Sequence, residues 1–174
     1  ATVVVAPPSA YLEETKKLLK QNIKLAGQDV SQFEKGAHTG ELGAFELKEF
    51  ADYCIVGHSE RHETFEITLQ KINECLLHKI TPIVCFVDKK VLERIPQLSE
   101  CIVCWEDPQN ISQNGVYAPK NILDVRSEVE SLKKFWPNIT LLYGGSVNRQ
   151  NIQELVNIDK LDGVLVGNAS LDPT

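Results

Sequence analysis

The sequence predicts an α/β protein built on about seven parallel strands. Short apolar runs rich in β-branched residues alternate with amphipathic helical patterns along the chain, and this alternation implies a parallel sheet with right-handed crossovers. Polar or glycine-rich residues follow several of the apolar runs, as expected at the carboxyl ends of parallel strands, where ligands bind. The length of 174 residues predicts a single domain over 1–174.

Three strands are predicted in the first part of the chain, over residues 2–6, 23–28 and 53–56. The first strand ends at Pro7, because proline has no amide hydrogen with which to continue a ladder. Ser9 is expected to cap a helix over 10–20. A glycine-punctuated loop over 35–41 and a helix over 43–50 then lead into the third strand.

The remaining elements continue the alternation of helices and strands. Helical patterns are predicted over 66–78, 90–98, 121–135 and 148–156, and strands over 81–87, 101–105, 139–143 and 163–166. Residues 107–119 have little apolar periodicity and are predicted to form a long loop. Long loops inside compact domains are often functional, so this segment is expected to take part in the protein's activity.

Composition argues against several classes of function. The net charge is −6 and no block of Lys and Arg is present, so nucleic acid is not an expected partner. No apolar run approaches the length of a membrane span. The five cysteines are scattered through apolar runs, which predicts buried free thiols in a reducing, cytoplasmic compartment. Cys101 and Cys104 lack a second Cys or His pair, so we expect no metal site.

The strand predicted over 53–56 carries the strongest functional signal. It is a nearly unbroken apolar run that ends at Gly57 and leads directly into the imidazole of His58. A hydroxyl, a carboxylate and a guanidinium follow, from Ser59, Glu60 and Arg61. A lone histidine is more often a hydrogen-bonded core residue than a functional one. Here the polar tetrad at a strand end favours function.

Two glycine-rich turns follow the last two predicted strands, Gly144-Gly145-Ser146 and Gly167-Asn168. A single turn of this kind could be no more than a tight bend, but two in succession favour a shared phosphate site, because glycine lets the backbone approach an anion closely. Glu106, at the mouth of the long loop, is a candidate general base, since a lid that dries the site raises the proton affinity of a carboxylate. The alternative for Glu106 is a solvated acid at a strand end.

Five collinear stretches resemble the triosephosphate isomerase family. They are Val3-Val4-Val5-Ala6-Pro7-Pro8, Gly36-Ala37-His38-Thr39-Gly40-Glu41, Val56-Gly57-His58-Ser59-Glu60-Arg61, Tyr143-Gly144-Gly145-Ser146-Val147 and Leu165-Val166-Gly167-Asn168-Ala169-Ser170-Leu171. The resemblance covers essentially the whole chain and implies an incomplete TIM (β/α)8-type barrel of about seven parallel strands. It also implies an isomerase of glycolysis and gluconeogenesis that interconverts dihydroxyacetone phosphate and glyceraldehyde 3-phosphate through an enediolate, without a cofactor.

The resemblance assigns roles to individual residues. It implies that His58 is a neutral electrophile and Glu106 the base; this family is itself a standard example of that pairing. The substrate phosphate would be held by Gly145, Ser146, Gly167 and Asn168, with Ser59, Glu60 and Arg61 in support. The loop that contains Thr39 would cross to a partner subunit, which implies a homo-oligomer, a dimer or larger. Residues 107–115 would form the closing lid.

Three departures from the family pattern qualify these expectations. The chain begins at what resembles the family's second strand, so the first strand, with the Asn and Lys that it carries, is expected to be absent. The chain also stops soon after the last predicted strand, so the family's closing helix is expected to be absent too. The lid carries Ser112 where the family has a glycine. Open strand edges over 3–6 and 163–166 are a second reason to expect an oligomer.

These departures lead us to expect isomerase activity that is weak or absent in the isolated chain, several orders of magnitude below that of a complete member of the family. Two alternatives stay open at this point. One is a non-catalytic phosphate-binding or assembly protein on a degenerate barrel, and the other is a fragment that needs a missing strand.

Overall fold

The computed structural model describes residues 1–107, 110 and 119–172. Across these residues, seven parallel strands follow one another in chain order within one sheet. They are β1 (Val3–Val5), β2 (Ile23–Gly27), β3 (Tyr53–Val56), β4 (Thr81–Phe86), β5 (Ile102–Trp105), β6 (Thr140–Tyr143) and β7 (Gly163–Val164). This strand order, with helices in the connections, is that of an incomplete TIM (β/α)8-type barrel and confirms the predicted fold class.

The helices of the described residues lie close to the predicted segments. They are α1 (Leu12–Leu18), α2 (Ala44–Leu47), α3 (Phe65–Leu77), α4 (Ile122–Phe135) and α5 (Ile152–Leu155). Short 3-10 segments cover Ser9–Tyr11, Ser59–Arg61, Lys89–Arg94, Leu98–Glu100 and Asn168–Leu171. No helix in the described part of the chain combines the length and the apolarity that crossing a membrane requires.

The chain divides into two compact units, Ala1–Val84 and Cys85–Thr174. In the first unit, α3 packs against β3 and buries Ile72 and Cys75 completely. Thr64 caps this helix, since its Oγ1 accepts a hydrogen bond from the Ile67 amide at 3.4 Å. This packing sets the direction in which β3 enters the turn at its carboxyl end. The expectation of a single domain stays a prediction.

In the second unit, β5 and β6 pair in register from Ile102 opposite Thr140 to Trp105 opposite Tyr143. The core beneath them consists of buried apolar side chains, among them Val103, Cys104, Val125, Val129, Leu132, Leu141 and Leu155. Because the last residues of the two strands lie side by side, the segments that follow them, beginning at Glu106 and Gly144, emerge together.

Two local predictions were wrong. Ser9 does not cap α1, because the chain enters that helix through a 3-10 turn in which the Tyr11 amide donates to the Pro8 carbonyl at 2.9 Å. The helix predicted over 148–156, α5, begins later than predicted, at Ile152. There the Asn148 side chain accepts hydrogen bonds from the amides of Gln150 and Asn151, a turn that competes with the helix.

The five cysteines are buried free thiols, as predicted. They include two neighbouring pairs, one in each unit. A hydrogen bond with Cys75, together with burial, raises the pKa of the Cys54 thiol well above its ordinary value. Cys104 and burial have the same effect on the pKa of the Cys85 thiol. Both thiols are therefore protonated, unreactive core residues at neutral pH.

Candidate active site

His58 lies in the turn that follows β3. Gly57 has a φ of 70°, which glycine adopts without strain, and it redirects the chain as the strand ends. His58 then precedes the 3-10 segment Ser59–Arg61, and its Nδ1 atom accepts a hydrogen bond from the Glu60 amide at 3.3 Å. The side chain is 22% exposed, so the ring is held by the turn and only partly accessible to solvent.

This hydrogen bond assigns the tautomer of His58. A backbone amide can only donate, so Nδ1 carries a lone pair and the proton of the neutral ring is on Nε2. The Glu60 carboxylate is 3.7 Å from the same Nδ1 atom and would favour a charged ring. The hydrogen bond decides between the two, because a protonated Nδ1 would turn an N–H toward the amide N–H. His58 is therefore assigned as the tautomer whose ring proton is on Nε2.

Four charged side chains pack around the same turn. The guanidinium of Arg61 contacts Asp29 and Glu63, each at 2.8 Å. The Nζ atom of Lys71 is 2.7 Å from Asp29 and 2.6 Å from Glu63. These two cations and two anions form what we call the charge cluster, which is buried at Lys71, 4% exposed, and open to solvent at Arg61, whose side chain is 48% exposed. It fixes the residues that follow His58 and leaves Glu60 outside, with its side chain 75% exposed.

Glu63 shows the electrostatic balance of the charge cluster. Burial acts to raise the pKa of this carboxyl, but the hydrogen bonds from Lys71 and Arg61 outweigh it and hold the pKa below its ordinary value. The sequence reading named Arg61 but missed Asp29, Glu63 and Lys71. A lysine near the apolar positions of the helical pattern over 66–78 was the available signal, but it did not identify partners up to 42 residues away.

Glu106 follows β5 and is 1% exposed, so it is not a solvated strand-end acid. Its amide donates to the Phe86 carbonyl at 2.8 Å. A Cβ atom on Gly144 would lie 3.4 Å from Cγ of Glu106 and 2.9 Å from Sγ of Cys104. Position 144 therefore adjoins Glu106 at ordinary contact distance, and it is Cys104 that leaves no room there for a side chain.

The Gly144-Gly145-Ser146 turn is built around Tyr143. A Cβ atom on Gly145 would lie only 2.3 Å from the Tyr143 hydroxyl, so glycine is required there. Ser146 is buried and adopts the left-handed conformation, with φ 47°. Its carbonyl accepts hydrogen bonds from the Asn148 and Asn151 side chains at 3.2 and 3.1 Å. The turn is a fixed structure rather than a loose connection.

Burial and the negative charge of Asp107 raise the pKa of Tyr143 to about 12. The Lys120 amide acts to lower this pKa, although it does not form a full hydrogen bond with the buried Tyr143 hydroxyl. Tyr143 is therefore a neutral phenol that supports the turn.

Gly167 and Asn168 lie at the start of the 3-10 segment Asn168–Leu171, and both are exposed. The Gly167 carbonyl accepts hydrogen bonds from the amide and the hydroxyl of Ser170, at 2.9 and 2.7 Å. A Cβ atom on Gly167 would meet nothing within 4 Å, so the space beside its backbone is open. The backbone here is accessible to a small anion.

The other predicted site residues are described only in part. Ser59 is half-buried and Thr39 is exposed, each within the first unit. Of the predicted lid, the structure describes Asp107 and Asn110, whose amide donates to the Asp107 carbonyl at 2.8 Å. The substitution at Ser112 and the rest of the lid lie outside the described residues.

Comparisons with known proteins agree on one family. A family model described as triosephosphate isomerase matches residues 1–174. Triosephosphate isomerase from Paracidovorax citrulli is 36% identical over 97% of this chain and 79% of the relative, and that from Delftia acidovorans is 35% identical over 98% and 81%. Triosephosphate isomerase from Mesomycoplasma hyorhinis is 34% identical over 94% of this chain and 73% of the relative.

Proposed function

The chain belongs to the triosephosphate isomerase family, and on that premise we propose that it interconverts dihydroxyacetone phosphate and glyceraldehyde 3-phosphate, as a glycolytic and gluconeogenic isomerase. The reaction moves one proton between neighbouring carbons and needs no redox change. A base must remove the proton from the carbon beside the carbonyl, and an electrophile must stabilise the oxygen that becomes negative.

His58 is the proposed electrophile, and its tautomer is the observation that carries the proposal. With Nδ1 occupied by the Glu60 amide, the Nε2–H group can donate to the substrate carbonyl oxygen. The bond strengthens as that oxygen gains negative charge in the enediolate, which is the condition for accelerating the reaction rather than only binding the substrate.

Glu106 is the proposed base. Its carboxylate takes the proton from one carbon, and the electron pair forms the enediolate double bond. A proton then moves from the hydroxyl oxygen to the former carbonyl oxygen, and the Glu106 carboxyl returns its proton to the neighbouring carbon. The burial of Glu106 and the hydrogen bond from its amide to the Phe86 carbonyl support this role, because a base works best when its position is fixed. Ser59, Glu60 and Arg61 support the turn that holds His58.

Gly145, Ser146, Gly167 and Asn168 are the proposed phosphate site. The fixed turn at Ser146 and the open backbone at Gly167 support this assignment, since backbone N–H groups bind a phosphate without a cationic side chain. A triose phosphate is therefore the proposed substrate, and no cofactor is required.

The chain is also proposed to act in the cytoplasm as a homo-oligomer, a dimer or larger. Buried free thiols are typical of proteins in reducing compartments. The loop containing Thr39 is exposed over residues 33–41 and carries a stacked pair, Phe33 and His38, with ring centroids 4.4 Å apart. An exposed, preordered aromatic pair suits a protein interface. Light scattering that finds only monomer at every concentration would contradict this part of the proposal.

A coupled dehydrogenase assay on the 174-residue chain tests the proposed activity. We expect turnover that falls about 10²–10⁴-fold in Glu106→Gln and about 10²–10³-fold in His58→Gln. Glu128→Gln is the matched control, because Glu128 is a partly exposed carboxylate paired with Lys89 in the same unit as Glu106. Its activity should stay within about twofold of the wild type, since exposed ion pairs contribute little.

Binding without turnover would instead support the non-catalytic alternative, which family membership does not favour. Titration with a phosphate-bearing enediolate mimic separates the two outcomes. If the wild-type chain binds the mimic but Glu106→Gln and wild type turn over equally slowly, the proposed catalytic roles are wrong.

A further inference from the structure

Asp107 and Lys120 form an ion pair beside the candidate base. The Lys120 Nζ atom is 2.5 Å from an Asp107 carboxylate oxygen, although the two residues are 13 positions apart. The side chains are 13% and 25% exposed, respectively, so the pair is partly shielded from solvent. The Lys120 ammonium also lies 5.7 Å from the centroid of the Trp105 ring, a distance suited to a cation–π contact.

This ion pair adjoins the backbone that carries Glu106. The residue before Glu106 is Trp105, beneath the Lys120 ammonium, and the residue after it is Asp107, bonded to the same ammonium. Lys120 therefore contacts both chain neighbours of Glu106. The hydrogen bond from the Glu106 amide to the Phe86 carbonyl at 2.8 Å is a third restraint on the same peptide segment.

The ion pair also balances the negative charge of Asp107. Asp107 is a second carboxylate directly after the proposed base, and its charge is felt at the Tyr143 hydroxyl. Removing the cation from a partly buried pair leaves an uncompensated charge, which is costly and tends to move the residue that carries it. Without Lys120, the Asp107 side chain would turn toward solvent and pull the backbone at Glu106 with it.

We propose that Lys120 is a positioning residue for Glu106, acting through its ion pair with Asp107 and its contact with Trp105. The inference rests on the proposed isomerase function and names a residue that the site motifs do not include. Lys120 does not touch the substrate in this proposal. Its effect is on the placement of the base, so it should change kcat more than KM.

The test compares Lys120→Met, Lys120→Arg and Asp107→Asn with the wild type. Lys120→Met keeps an unbranched apolar stem and removes the charge, and we expect its kcat to fall about 10–100-fold, since small misplacements of a catalytic group cost up to about 100-fold. KM should change less than about threefold on the same reasoning. Lys120→Arg should recover most of the loss, because it keeps the cation. Lys89→Met is the control, since Lys89 forms a more exposed ion pair with Glu128 at 3.4 Å in the same unit.

A second measurement does not depend on turnover. The protein has two tryptophans, so Trp136→Phe leaves Trp105 as the only fluorophore of its kind. In this background, the Trp105 emission shift of the Lys120→Met/Asp107→Asn double variant should differ from the sum of the two single shifts, because both single variants break the same pair.

The outcomes separate the two proposals. A wild type without turnover overturns the isomerase function and the positioning role together, and the fluorescence then reports only whether the pair exists. Normal turnover with Lys120→Met within twofold of wild type overturns the positioning role alone. Additive shifts of Trp105 emission would show that Lys120 and Asp107 are not paired, which also overturns it.

Discussion

The turns that follow β3 and β5 hold their functional side chains by different means. His58 is oriented by a hydrogen bond from the Glu60 amide, in a turn fixed by the charge cluster of Asp29, Arg61, Glu63 and Lys71. Glu106 instead lies in a space shaped by Gly144 and Cys104. The first turn is held by ion pairs and a hydrogen bond, and the second by steric packing. Substitutions that remove a charge should therefore affect the first turn, and substitutions that add side-chain volume should affect the second.

The largest expected effect is on the charge cluster. Lys71→Met removes a buried cation that contacts both Asp29 and Glu63. Arg61 still pairs with both carboxylates, but two anions then share one cation, so the loss should approach the roughly 3–5 kcal/mol that breaking a buried pair costs. We expect urea denaturation to show a loss of this size in the free energy of unfolding. Lys17→Met is a suitable control, because the Lys17–Glu13 pair is exposed. A loss below about 1 kcal/mol, typical of a surface pair, would show that the charge cluster does not hold the turn.

The next largest expected effect is a loss of kcat from a substitution at Gly144, in the turn that follows β6. Gly144→Ala places a methyl group 2.9 Å from Cys104 Sγ, so β5 and the turn must shift against each other. Because Glu106 follows β5 directly, this shift should misplace the base and lower kcat up to about 100-fold. Cys104→Ala in the same chain removes the closer contact and should restore part of the activity. Steady-state kinetics of the single and double variants decide the matter, and equal kcat values for Gly144→Ala and wild type would contradict the steric argument.

The smallest expected effect is a difference between the two turns in how the free energy of unfolding depends on pH. The pKa of Glu63 is held below its ordinary value, because the hydrogen bonds from Lys71 and Arg61 outweigh the opposing effect of burial. Its contribution to stability is therefore complete above the unfolded pKa of about 4.3 and is lost as pH falls through the lower folded value.

Urea denaturation over this acid range should accordingly show falling stability, with a shallower fall in Glu63→Gln. Gly144→Ala should leave the slope unchanged, because no charge is altered there. Identical slopes for wild type and Glu63→Gln would contradict the assigned pKa shift.

The strands and the motif residues could be read from local patterns. Apolar runs placed β3 over 53–56, as observed, because the signal for a buried strand is carried by consecutive residues. The predicted positions of His58, Glu106 and the two glycine turns at strand ends followed from the same runs. Where short-range polar contacts compete with the pattern, as at Asn148 before α5, the prediction missed the boundary.

The chemistry of individual side chains was decided by tertiary structure. Sequence patterns placed His58 after a strand, but its tautomer depends on the Glu60 amide that the 3-10 turn presents to Nδ1. Arg61 pairs with Asp29, which lies 32 positions earlier in the sequence. Glu106 is buried beside the glycine that follows β6, a neighbour 38 positions later in the chain. Periodicity and β-propensity act between chain neighbours and are visible in the sequence, whereas ionic partners, tautomers and burial depend on distances that exist only after the chain has folded.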